Sequence, residues 1–88
     1  MTYKIFYSRQ AQRDALKIKQ SNLKEKAIEL INLLASDPYQ TPPRFGTLSG
    51  NLKGCYSRRI NIQHRLVYEV FEKPKRILIL RMWSHYGE

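Results

Sequence analysis

The apolar positions of this chain follow two rhythms, helical in the first half and strand-like at both ends. Tyr3, Ile5 and Tyr7 alternate with Lys4 and Phe6, which predicts a strand over residues 2–7. Ser8 is the expected N-cap of a helix reaching about residue 20, with Ala11, Ala15 and Ile18 on one face. Leu23, Ala27, Leu30, Ile31 and Leu34 then recur at helical spacing and form one continuous apolar stripe. Asn22 and Glu25 resemble a capping box at its start. Asp37-Pro38 stops it, because the residue before a proline avoids helical geometry.

Residues 37–55 carry Pro38, Pro42, Pro43, Gly46, Gly50 and Gly54 and fit no period. A loop of that length is either functional or a plain connector. Three strand-like runs follow, at about 56–61, 63–71 and 75–83, with Glu72-Lys73-Pro74-Lys75 as the turn between the last two. Ile77 to Leu80 is apolar on both faces, so the final strand is expected inside the sheet. The order β-α-α-β-β-β predicts an α+β fold: two N-terminal helices packed on one face of a mostly antiparallel, twisted sheet. A length of 88 residues leaves room for one core, so residues 1–88 are expected to form a single domain.

Charge narrows the function classes. The 16 Lys and Arg residues against 7 Asp and Glu give a net charge of +9, which points to a polyanionic partner: RNA, DNA, an acidic protein or a membrane surface. The cations are spread over both halves, so this is not a basic tail on a neutral body. Cys55 is the one cysteine, which excludes an internal disulfide and suits a reducing compartment; a buried structural thiol is expected. Met1-Thr2-Tyr3-Lys4 opens no signal-peptide stretch, and the apolar runs are too short to span a bilayer, so a cytoplasmic location is expected.

Several residues carry candidate chemistry. Arg58 and Arg59 are neighbours on a strand and must point to opposite faces. Arg81 interrupts an apolar strand, where a charge requires a partner or a ligand. Arg81, Trp83 and His85 share parity and project to one side if the strand continues that far. His85-Tyr86 is either an exposed tail or part of a site. Metal-free RNA cleavage needs a group that titrates near neutrality, which histidine supplies, and arginine to stabilise phosphoryl charge. His64 alternates with Arg65, so a structural role is expected for it. The aromatic residues follow strand periodicity and are read as core or sheet-face positions. The sequence offers no zinc spacing, no carboxylate cluster and no Gly-rich phosphate loop.

The run Leu52-Lys53-Gly54-Cys55-Tyr56-Ser57-Arg58-Arg59-Ile60-Asn61, continuing to His64-Arg65-Leu66-Val67-Tyr68, resembles the signature of the YoeB/Txe toxins of the RelE superfamily. The ending Arg81-Met82-Trp83-Ser84-His85-Tyr86 is similar to theirs too. The resemblance implies a RelE-like microbial-RNase fold and a type II toxin–antitoxin system. It implies metal-independent endonucleolytic cleavage of mRNA in the A site of the 70S ribosome, with no cofactor. It further implies a YefM/Axe-type antitoxin, operator DNA bound through the toxin–antitoxin complex, and frequent dimers. Carried onto this sequence, the phosphate-stabilising arginine falls on Arg65, the general acid on His85 and its assisting tyrosine on Tyr86. Lys53, Arg58, Arg59 and Arg81 fall among the basic residues expected to hold RNA.

One position departs. The family's general-base glutamate falls on Gly46, within Arg44-Phe45-Gly46-Thr47-Leu48. Glycine has no side-chain proton acceptor, and a general base contributes about 10²–10⁴-fold. The resemblance therefore implies a cleaving toxin with attenuated activity, and the alternative is a non-catalytic RNA-, ribosome- or antitoxin-binding module on the same fold. Glu88 is the nearest substitute carboxylate in sequence to His85.

Overall fold

The computed structural model describes residues 2–42, 44–47 and 54–83. Strand β1 (Lys4–Tyr7) leads into helices α1 (Arg9–Lys19) and α2 (Lys24–Ser36). Strands β2 (Phe45–Thr47), β3 (Cys55–Arg59), β4 (Arg65–Glu72) and β5 (Lys75–Arg81) follow. They form one five-stranded sheet in the order β1-β5-β4-β3-β2. The β4–β5, β3–β4 and β2–β3 pairs are antiparallel; β1 joins β5 in parallel. The expected α+β class and helix pair therefore hold, and β5 lies between two neighbours as its apolar run required.

Ser8 caps α1 as expected: its side chain accepts from the Ala11 amide at 3.0 Å. The capping box expected at Asn22 is absent, and Leu23 takes the N-cap without a side-chain bond. The reason is local. The Ser21 hydroxyl donates to the Ile18 carbonyl at 2.8 Å and accepts from the Leu23 amide at 3.0 Å, so Ser21 already closes the turn between the helices.

The core lies between the helices and one face of the sheet. Ala11 and Ile18 of α1 and Ala27, Leu30 and Leu34 of α2 cover Leu66, Tyr68, Ile77 and Ile79. The 37–55 segment is not structureless throughout, because β2 lies within it and extends the sheet beyond β3. The last strand stops at Arg81 rather than running to residue 83, so strand parity does not carry from Arg81 to Trp83, and His85 lies outside the described residues. The cause is a side chain: Asp14 Oδ2 accepts from the amides of Met82 and Trp83 at 3.0 and 3.2 Å and draws them off the ladder. Among the described residues, no helix is long and apolar enough to cross a membrane.

Candidate functional site

Residues directly opposite each other in antiparallel strands share a face. The register pairs Gly46 with Ser57, Arg59 with Arg65, and Arg58 with Leu66. Leu66 belongs to the helix-covered face, so Arg58 points inward. Gly46, Ser57, Arg59 and Arg65 consequently lie on the other face. There they line an open cleft of about 650 Å³ together with Arg44 and Phe45. Arg59 is exposed and Arg65 half-buried, so both guanidinium groups reach solvent. Among the described residues, no carboxylate lines this cleft. Three arginines and one hydroxyl suit a phosphodiester. A second hollow of about 370 Å³, with apolar walls from Ala15, Ile18, Ala27, Ile28 and Ile31, offers no comparable chemistry.

Gly46 sits in ordinary extended backbone, and a Cβ placed there would meet only the Ser57 Oγ, at 4.0 Å. Glycine is thus not required at this position by the local geometry. A longer side chain fits and would rise from β2 on the face of Arg59 and Arg65.

Arg58 corrects an expectation. It is 1% exposed, so its guanidinium is inside the molecule rather than available to RNA. Its Nε donates to the Tyr68 hydroxyl at 3.1 Å and its Nη2 to the Pro38 carbonyl at 2.9 Å. The guanidinium also lies 4.9 Å from the Phe45 ring centre. Phe45 packs edge-on to Tyr56 at 5.6 Å, and Tyr56 lies 5.8 Å from Tyr68. Burial pushes the Tyr68 phenol up, with the Arg58 cation pulling the other way. The effect is to bind β2, and Gly46 with it, to the sheet from beneath.

Arg81 finds the partner its apolar surroundings required. Its Nε lies 2.9 Å from Asp14 Oδ2, and Asp14 is 1% exposed. Burial pushes the Asp14 carboxyl up, but bonds from Arg81, the Met82 amide, Gln10 and the Trp83 amide outweigh it and leave it below its ordinary value. Its position signalled this: Asp14 lies three residues after Ala11 and four before Ile18, on the buried stripe of α1. Sequence reasoning missed it, and also missed Arg44 and Ser57 as cleft residues.

His64 is buried and stacks on Trp83, with ring centres 3.9 Å apart and planes 25° apart. Cys55 is buried, and burial together with Glu69 pushes its thiol pKa up, which keeps it protonated. Lys53, His85 and Tyr86, and Glu88 with them, lie outside the described residues.

A family profile described as "YoeB-like toxin of bacterial type II toxin-antitoxin system" matches residues 6–86. Toxin YoeB of Synechocystis sp. is 39% identical over 66 residues, which cover 70% of this chain and 74% of that protein. Among solved structures, the YoeB dimer of Staphylococcus aureus is 32% identical with a TM-score of 0.83, covering 98% of this chain and 100% of that one. The YoeB–YefM complex from the same organism is similar at 34% identity and a TM-score of 0.80, again covering 98% and 100%.

Proposed function

The chain belongs to the family of YoeB-like toxins of bacterial type II toxin–antitoxin systems, and on that premise we propose that it is a ribosome-dependent mRNA endoribonuclease weakened at its base position. The observation that carries this reading is the cleft: Gly46, Ser57, Arg59 and Arg65 converge on one face with Arg44, and no carboxylate is among them.

In the proposed reaction the ribose 2′-oxygen attacks the adjacent phosphorus and the bond to the 5′-oxygen breaks. Arg65, with Arg44 and Arg59 beside it, balances the charge that grows on the phosphoryl oxygens. His85 gives its proton to the departing 5′-oxygen, and Tyr86 assists at the phosphate. The 2′-OH proton has no side chain to receive it at position 46 and passes to solvent, which is the slow route. Lys53 and Arg81 add positive potential, Arg81 only with the part of its side chain left exposed beside Asp14. The same reading gives the chain a YefM-type antitoxin and a homodimeric state, as in the two S. aureus structures, and operator DNA through the antitoxin complex.

A second reading, an RNA- or ribosome-binding module without catalysis, is favoured by the same Gly46. One experiment separates them. The chain and its Gly46→Glu, Arg65→Ala and His85→Ala variants are added to a reconstituted translation reaction and mRNA 5′ ends are mapped. Slow, codon-positioned cuts by the chain, faster with Gly46→Glu and lost with Arg65→Ala, support the nuclease. Cleavage by Gly46→Glu alone supports the binding module. No cleavage by either overturns the nuclease assignment.

A further inference from the structure

We propose that Asp14 is a positioning residue for this chemistry: it fixes the chain where it leaves β5, from Arg81 to Trp83, and Trp83 is two residues ahead of His85. The inference rests on the nuclease reading above. Its basis is a concentration of bonds on one buried carboxylate. Asp14 Oδ2 accepts from Arg81 Nε at 2.9 Å, the Met82 amide at 3.0 Å and the Trp83 amide at 3.2 Å. Oδ1 accepts from Gln10 Nε2 at 3.2 Å. Arg81 Nη2 also donates to the Trp83 carbonyl at 3.3 Å.

Helix α1 holds the preceding residues as well. The Ser8 amide donates to the Ile79 carbonyl and the Ser8 hydroxyl to the Leu80 carbonyl, both at 2.9 Å. Ser8, the N-cap of α1, and Asp14 within it therefore grip five consecutive residues, Ile79 to Trp83. At the far end of this grip the Trp83 ring stacks on His64, the residue before Arg65. His64 is itself fixed: its carbonyl accepts from the Ile60 and Asn61 amides, and its amide donates to Asn61 Oδ1 at 2.7 Å. Trp83 and Arg65 thus share one frame.

A contact that served stability alone would be met by apolar packing, since a buried ion pair gains little over it. A charged acceptor for two adjacent amides does something apolar packing does not: it sets the direction in which the backbone leaves the sheet. A displacement of about 1 Å in a reacting group costs about 10²-fold in rate.

The test uses Asp14→Asn and Asp14→Ala, each in the Gly46→Glu chain, with Tyr3→Phe as a variant that removes a bond to Glu72 and touches none of the bonds on Asp14. Cleavage is followed in the translation reaction, and the His85 imidazole is titrated by NMR in the folded variants. For Asp14→Asn we expect a fall in kcat of about 10²-fold with KM within about twofold, and a moved His85 titration. Tyr3→Phe should change neither. If Asp14→Ala does not fold, the isosteric Asn variant carries the test. A kcat for Asp14→Asn equal to that of Tyr3→Phe, or a His85 titration that stays in place, overturns the proposal. If Gly46→Glu with Asp14 intact cleaves nothing, the nuclease reading fails by itself, and the His85 titration still decides whether Asp14 positions the segment.

Discussion

The guanidinium carbon of Arg58 stands 4.9 Å from the centre of the Phe45 ring, so the strand that carries Gly46 rests on a buried cation. Arg58 and its neighbour Arg59 are therefore expected to respond oppositely to truncation. Arg58→Ala leaves the Pro38 carbonyl and the Tyr68 hydroxyl without their charged donor and should cost about 3 kcal/mol. Arg59→Ala, at an exposed position, should stay within about 0.5 kcal/mol and weaken RNA binding instead. Urea denaturation of both variants, with binding to a short oligoribonucleotide, decides the matter; equal losses of stability would refute it.

Gly46→Ala separates space from chemistry. Glycine within a strand is destabilising by about 0.5–1 kcal/mol relative to alanine, and the Cβ has room here. The alanine variant should melt higher than the parent chain and cleave no faster. A rise in cleavage with alanine would mean that backbone order, not a missing base, limits the rate.

The arginine cleft should declare itself in salt dependence. Single-stranded nucleic acid gives a slope of log affinity on log salt of about −0.7 per neutralised phosphate. Arg44, Arg59 and Arg65 together should account for about −2, and each alanine substitution should remove about one unit or less. Slopes unchanged in all three variants would place RNA elsewhere.

Glu72 gives a pH signature at the opposite end of the sheet. The phenols of Tyr39 and Tyr3 donate to its two oxygens at 2.8 and 2.9 Å. Those bonds, Tyr39 first, hold its carboxyl below the ordinary value, so its contribution is complete above that value and is lost as pH falls through the lowered one. Desolvation and the same carboxylate raise both phenols, whose contribution is complete below their ordinary value and lost as pH climbs through the raised ones. Urea midpoints measured across pH for the chain and Glu72→Gln should converge in acid. In alkali, absorbance near the phenolate band should show Tyr3 and Tyr39 ionising earlier in the variant. Curves that stay parallel throughout would contradict the assignment.

Periodicity made the helices and strands β1, β3, β4 and β5 legible because each carries several apolar residues in period. It missed β2, whose three residues include a glycine and bury little; only pairing with β3 makes them a strand. Parity showed that Arg58 and Arg59 face opposite ways but not which one is inside, since that depends on Leu66 and Tyr68 arriving from another strand. Asp14 and Arg81 each broke an apolar stripe, and two opposite charges so placed were a legible sign of a pair. The YoeB-like assignment came from local runs of residues that the family profile also matches, whereas the cleft came from register, which no single run contains.

The parallel pairing of β1 with β5 has a consequence for the order of assembly. Ser8, just after β1, bonds Leu80, 72 positions further along the chain, and Ile77 and Ile79 supply the floor on which both helices sit. Helical segments can flicker into being as they emerge during synthesis, yet none can bury its stripe until β5 exists. Contacts so distant in sequence make folding late and cooperative. The sheet that carries the arginine cleft is thus expected to settle only once the last strand has been made.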